Sequence, residues 1–99
     1  GLEITAADVP LLDGARGLAA GNVSGGGRSN RRHFGPGVSV GDGVDADLVE
    51  LLYDPQTSGG LLIAVEAGRA GAVAEALAAA GVRARLIGRC VEGGGIRVE

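Results

Sequence analysis

The sequence predicts an α+β domain: a mixed or antiparallel sheet with helices packed on one face. Three observations carry that prediction. Stretches of period two and of period 3.6 follow one another along the chain. The 20 glycines of the 99 residues cluster between those stretches and form no repeat. Apolar residues make up 45% of the chain, enough for a core, and that core must be aliphatic because Tyr53 and Phe34 are the only aromatic residues.

The elements follow in order. Gly1 to Thr5 alternates apolar and polar residues and reads as a strand; it opens so abruptly that the N-terminus reads as a cut. Asp13 to Ala20 reads as a short helix with Asp13 as N-cap and Gly21 beyond its end. Asn22 to Asp42 is polar and rich in glycine, and is expected to be a long loop. Asp45 caps a helix running through Leu52, with Leu48, Val49, Leu51 and Leu52 as its apolar face. Asp54 to Gly60 is a turn, with Pro55 stopping the helix before it. Leu61 to Val65 is apolar on both faces and is expected to be a central strand or to lie at an interface. Arg69 to Ala80 is a helix with Ala70, Val73, Leu77 and Ala80 on one side and Gly81 at its end. Val82 to Val91 reads as a strand of period two that buries Cys90, and Gly93 to Gly95 turns it into a hairpin with Ile96 to Glu99.

Composition excludes several classes of function. Two aromatic side chains are too few for a module that stacks nucleic-acid bases. A net charge of −3 steers weakly. No apolar run approaches the roughly 20 residues of a membrane span, and no signal peptide is expected. With a single cysteine the chain reads as cytoplasmic. Cys90 lies among apolar alternates, which points to an inert thiol. His33, the one histidine, has no partner at zinc-ligand spacing. Asp42, Asp45 and Asp47 lack the later glutamate of a calcium loop, so helix capping explains Asp45 better.

Two motifs remain. Asp54-Pro55-Gln56-Thr57-Ser58-Gly59-Gly60 puts four polar side chains on one turn, and its glycines are expected to supply positive φ for entry into the next strand. From the residues alone, a polar connection is the simpler account and a ligand-facing turn the other. Gly25-Gly26-Gly27-Arg28 could cradle an anion with its amides and with Arg28, Arg31 or Arg32, or be a mobile solvated loop. It is neither a Walker loop nor a dinucleotide fingerprint, because no Gly-Lys-Ser/Thr follows and no strand leads into it.

The string Asp54 to Leu62, continued through Ile63-Ala64-Val65, resembles the C-terminal signature of the selenophosphate synthetase (selenide, water dikinase) family. Upstream, Ala20-Gly21-Asn22-Val23-Ser24-Gly25-Gly26-Gly27-Arg28-Ser29-Asn30 is similar to that family's glycine loop ending in Asn. Val9-Pro10-Leu11-Leu12 and Ile87-Gly88 agree more weakly, and together these cover nearly the whole chain. Ser24 stands where the family commonly has Pro, and Gly27 where it usually has Thr.

The resemblance implies residues 1–99 of a C-terminal domain of the aminoimidazole ribonucleotide synthetase-like type, with the N-terminal nucleotide-binding domain absent. It implies an enzyme that converts selenide, ATP and water into selenophosphate, AMP and phosphate, using magnesium and usually potassium as a homodimer. Its nucleophile, its lysine and most of its metal-binding aspartates belong to the N-terminal domain, so no catalytic residue and no metal ligand is assigned here. This piece alone is expected to be inactive, to bind no cofactor, and to self-associate. Carried over as motif positions lining the cleft between domains are Asn22, Gly25, Gly26, Asn30, Asp54, Gln56, Thr57, Ser58, Gly59 and Gly60. Two other readings stand beside this one: a non-catalytic structural or regulatory module of the same superfamily, and a piece of a sister purine-pathway or hydrogenase-maturation enzyme. The Asp54 to Gly60 string argues against the sister enzyme.

Overall fold

The computed structural model describes residues 1–99 and has the expected α+β architecture, with four helices and a four-stranded mixed sheet. In chain order the elements are β1 (Leu2–Ile4), α1 (Ala15–Ala19), α2 (Gly25–Phe34), β2 (Val38–Val40), α3 (Ala46–Leu52), α4 (Ala70–Ala79), β3 (Gly88–Cys90) and β4 (Ile96–Val98). The sheet order is β2-β4-β1-β3, with β1 antiparallel to β3 and β4 parallel to both β1 and β2. No helix is long and apolar enough to cross a membrane.

The expected hairpin of β3 and β4 does not form, because β1 lies between them. Charge is well matched in the observed order. With β1 inserted, Glu3 is the register partner of both Arg89 and Arg97. Its carboxylate accepts from Arg89 Nε at 2.6 Å and from Arg97 Nη1 at 3.0 Å. Val91 to Gly95 wraps round the start of β1, with Gly93 and Gly95 at φ 97° and 81°. Leu2 N–H donates to Gly95 O, and Val91 N–H to Gly1 O. Gly88 is required by the same crowding: a Cβ there would overlap Glu3 O and sit 2.9 Å from Glu3 C.

The sheet therefore has a charged face of Ser39, Arg97, Glu3 and Arg89, and an apolar face built on Leu2, Ile4, Ile96 and Val98. Val98 is buried at the centre, whereas Cys90, on the edge strand β3, is exposed. Its apolar alternates place it on the expected face, but an edge position leaves that face uncovered there.

Asp45 caps α3 as expected, accepting from Asp47 N–H at 2.9 Å and Leu48 N–H at 3.1 Å. Leu48 and Val49 are the buried side of α3, which packs on α1 through Ala19. α1 is shorter than expected and Asp13 does not cap it; Gly14, at φ 79°, occupies the capping position instead. α4 ends in a Schellman motif: Gly81 takes φ 75°, its N–H donates to Ala78 O, and Val82 N–H donates to Leu77 O.

Two larger corrections concern residues 22–42 and 61–87. The first stretch is not a loop but contains α2 and β2. Ser24 Oγ caps α2 by accepting from Gly27 N–H at 3.0 Å. The glycines fall in the first turn, where amides have no intrahelical acceptor to lose. Arg31, Arg32 and His33 occupy the last turn, where positive charge complements the helix dipole. The second correction is that neither Leu61–Val65 nor Val82–Leu86 is a strand. No backbone hydrogen bond ties Leu61–Val65 to the sheet, and Leu61, Leu62 and Ile63 are 90%, 66% and 55% exposed. A strand exists only through its neighbour, and this chain supplies none beside them.

Candidate functional site

The two motifs, separated by more than twenty residues, meet at the start of α2. Gly26 lies so close to Pro55 that a Cβ on it would stand 2.7 Å from Pro55 Cγ and 3.3 Å from Pro55 Cβ. One turn further on, Asn30 Nδ2 donates to Tyr53 O at 3.0 Å in a half-buried setting. The glycine motif thus holds the backbone on both sides of Asp54, one contact through Tyr53 and the other through Pro55. Any side chain at position 26 would drive these segments apart, which gives that glycine a physical role apart from any ligand.

Beside this junction is a shallow depression of about 200 Å³. Asn22, Ser24 and Gly27 line it from one motif and Asp54 from the other, with Glu50 and Leu51 behind. Asn22 is held by its own amide, Nδ2 donating to Leu18 O at 2.7 Å. Gly25 and Gly26 N–H make no hydrogen bond within the chain, whereas Gly27 N–H is used by Ser24 Oγ and Arg28 N–H by Ser24 O. Arg28 does not turn toward the depression; its Nη1 donates to Val23 O at 2.7 Å.

The remaining motif positions are not gathered there. Gln56, Thr57, Ser58, Gly59 and Gly60 are all exposed and extend away along the connection toward Leu61. Gly59 sits against the Gln56 amide, where a Cβ would be 2.6 Å from Oε1, and Gly60 faces open space. Neither takes positive φ, contrary to the expectation for this turn; positive φ falls at Gly14, Gly81, Gly93 and Gly95. The connection needs no sharp reversal because it does not enter a sheet.

Arg31, expected as a possible anion contact, instead braces the junction together with Glu50 and Tyr53, neither of which was expected in such a role. Arg31 pairs with Glu50, bridging α2 and α3, and its guanidinium lies 5.8 Å from the Tyr53 ring centroid. The pairing of Arg31 with Glu50 could be foreseen only if α2 had been recognised. No group of three or more His, Cys, Asp or Glu side chains is gathered in the chain. A larger concavity of about 460 Å³ lies at the Gly93–Gly95 end of the sheet and includes none of the motif residues.

No family model matches the chain. It is 35% identical over 89 residues to "Selenide, water dikinase 2" of Peptoclostridium acidaminophilum, covering 89% of this chain and 26% of that protein. It is 44% identical over 94 residues to the selenide, water dikinase of Pelobacter propionicus, covering 93% of this chain and 27% of that protein. The selenide, water dikinase of Nitratidesulfovibrio vulgaris is 37% identical over 100 residues, covering 98% of this chain and 29% of its own length. The chain spans about a quarter of the length of these curated relatives.

Proposed function

We propose, for a chain that belongs over about a quarter of its relatives' length to the selenide, water dikinase family, that it is a C-terminal part of an ATP-dependent selenophosphate synthetase. The parent reaction would take selenide, ATP and water to selenophosphate, AMP and phosphate. The single observation that carries this reading is the junction of the two motifs, in which Gly26 packs on Pro55 and Asn30 holds Tyr53 O. The two stretches that resemble the family most closely are far apart in sequence and adjacent in space.

In this reading the junction is one wall of a cleft whose other wall is a nucleotide-binding domain. Phosphoryl transfer is catalysed mainly by positioning and by charge stabilisation. This chain offers the unengaged amides of Gly25 and Gly26, the Asn22 carboxamide and the polar run Gln56 to Ser58. It offers no metal-ligand cluster and no lysine. When bound, magnesium would neutralise phosphate charge, and no three carboxylates of this chain gather to hold it. The role of these residues is to orient and enclose, not to react.

One observation favours a non-catalytic module as the second reading. Ser24 and Gly27, the two departures from the family pattern, cap α2 together, Ser24 Oγ accepting from Gly27 N–H, and Gly27 brings no hydroxyl to the depression.

A segment exchange tests the proposal. The corresponding part of the Pelobacter propionicus relative is replaced by this chain, and selenide-dependent AMP formation is measured. The expected result is activity within about tenfold of the relative. A folded hybrid with no selenide-dependent AMP formation would overturn the enzymatic reading in favour of the module.

A further inference from the structure

The depression beside the junction is unbalanced in charge. Glu50 and Asp54 are the only ionisable side chains in its lining, and both are acidic. The unengaged amides of Gly25 and Gly26, by contrast, lie at the start of the ten-residue α2, the positive end of the helix dipole. Two uncompensated carboxylates so near would repel any anion that those amides attract.

Arg31 relieves that opposition without entering the depression, since it is not part of the lining. Its Nη1 pairs with Glu50 Oε1, and its guanidinium faces the Tyr53 ring. Asp54 has no such partner, which leaves it as the one uncompensated charge of the lining. Tyr53 itself lies along α2. Its carbonyl accepts from Asn30, and a Cβ on Gly35 would stand 4.0 Å from its hydroxyl. A planar guanidinium pairs with a carboxylate and faces a ring at once, which a lysine ammonium does less well. The Arg31 side chain is half exposed, so the pair adds little to stability. The Glu50 side chain is only 24% exposed, so solvent screens its charge less than that of a surface carboxylate. What the pair changes is the field in the depression.

We propose that Arg31 is a positioning residue of this site: by pairing with Glu50 it compensates that carboxylate, so that the depression admits a phosphate-bearing anion. The role is exerted through Glu50 and not by contact with the ligand. The inference rests on the enzymatic reading for the identity of the anion, but not for the charge balance itself.

Two measurements test it, one on the full chain and one on the hybrid enzyme. In the chain, with Cys90→Ser as background, Asn22→Cys places a thiol at an exposed position in the lining of the depression. Its rate of reaction is measured with the dianionic dithiobis(nitrobenzoate) and with the neutral dithiodipyridine. The ratio of the two rates cancels the thiolate fraction and reports the local potential. Arg31→Ala is expected to lower that ratio at least about threefold, because the dianion then meets an uncompensated Glu50. Adding Glu50→Gln should restore the ratio, with circular dichroism unchanged throughout. In the hybrid with the Pelobacter propionicus relative, Arg31→Ala should raise the KM for ATP several-fold with little change in kcat, and Glu50→Gln should again reverse the rise. A brace that acted only by holding α2 to α3 would not be mended in this way, since the double variant lacks the bridge altogether. A ratio or a KM unchanged by Arg31→Ala, or a loss that Glu50→Gln leaves in place, overturns the proposal. A hybrid with no selenide-dependent AMP formation overturns the enzymatic reading instead, and the rate ratio in the chain then decides the role of Arg31.

Discussion

The junction of α1, α2 and α3 and the stretch from Gln56 to Leu86 differ in where their structure comes from. The junction is closed by its own residues: Asp45 and Ser24 cap their helices, Asn30 ties to Tyr53, and Arg31 pairs with Glu50. Leu48 and Val49 are buried there. In the second stretch only α4 is regular among the long elements, and none of its residues is buried. Helix hydrogen bonds are local, so α4 forms unaided. Strand bonds are not, so the segments on either side of it remain open. The comparison teaches that one apolar pattern yields a core or an exposed ribbon according to whether a partner is at hand.

Mutations should separate the two regions. Leu48→Ala removes a side chain that is 2% exposed and is expected to cost about 2–5 kcal/mol, a large share of any small domain's stability. Leu61→Ala, at a site 90% exposed, should stay within about ±0.5 kcal/mol in the monomer. Denaturant unfolding at low concentration measures both, and equal losses would break the comparison. Gly81→Ala sharpens it further: at φ 75° it should cost about 1 kcal/mol, whereas Gly60→Ala, in open space at ordinary φ, should be neutral or slightly stabilising. Asp45→Ala should lose about 1 kcal/mol with its two cap bonds. The smallest effect is on Cys90: its thiol is exposed and should react in the native protein within a few-fold of its rate in denaturant.

Much of the fold was legible in the sequence, and the parts that were not share a cause. Asp45, Gly81 and the helices they bound could be read because a cap is written within a few residues. α2 was hidden because three consecutive glycines lower helix propensity, and only Ser24 in front of them shows that they fall in the tolerant first turn. The sheet order was hidden because adjacency in sequence suggests a hairpin, while the observed pairing sets Glu3 beside Arg89 and Arg97, residues drawn from both ends of the chain. The burial expected for Cys90 failed for a related reason: alternation assigns a face, and only topology says whether that face is covered. The two functional motifs were visible as strings. That Asn22 and Asp54 share a depression while Thr57 and Ser58 extend away from it required the structure.

The central claim is that the glycine motif and the Asp54 motif form one site. The Gly26–Pro55 approach tests it most directly. A Cβ on residue 26 would lie 3.3 Å from Pro55 Cβ, close to the roughly 3.5–4.5 Å of a disulfide. In a Cys90→Ser background, Gly26→Cys combined with Pro55→Cys should oxidise to an intramolecular disulfide in the native protein. Intact mass should fall by the two hydrogens lost, and the peptides containing residues 26 and 55 should be linked after digestion. Free thiols at both positions after oxidation, or only intermolecular products, would contradict the account.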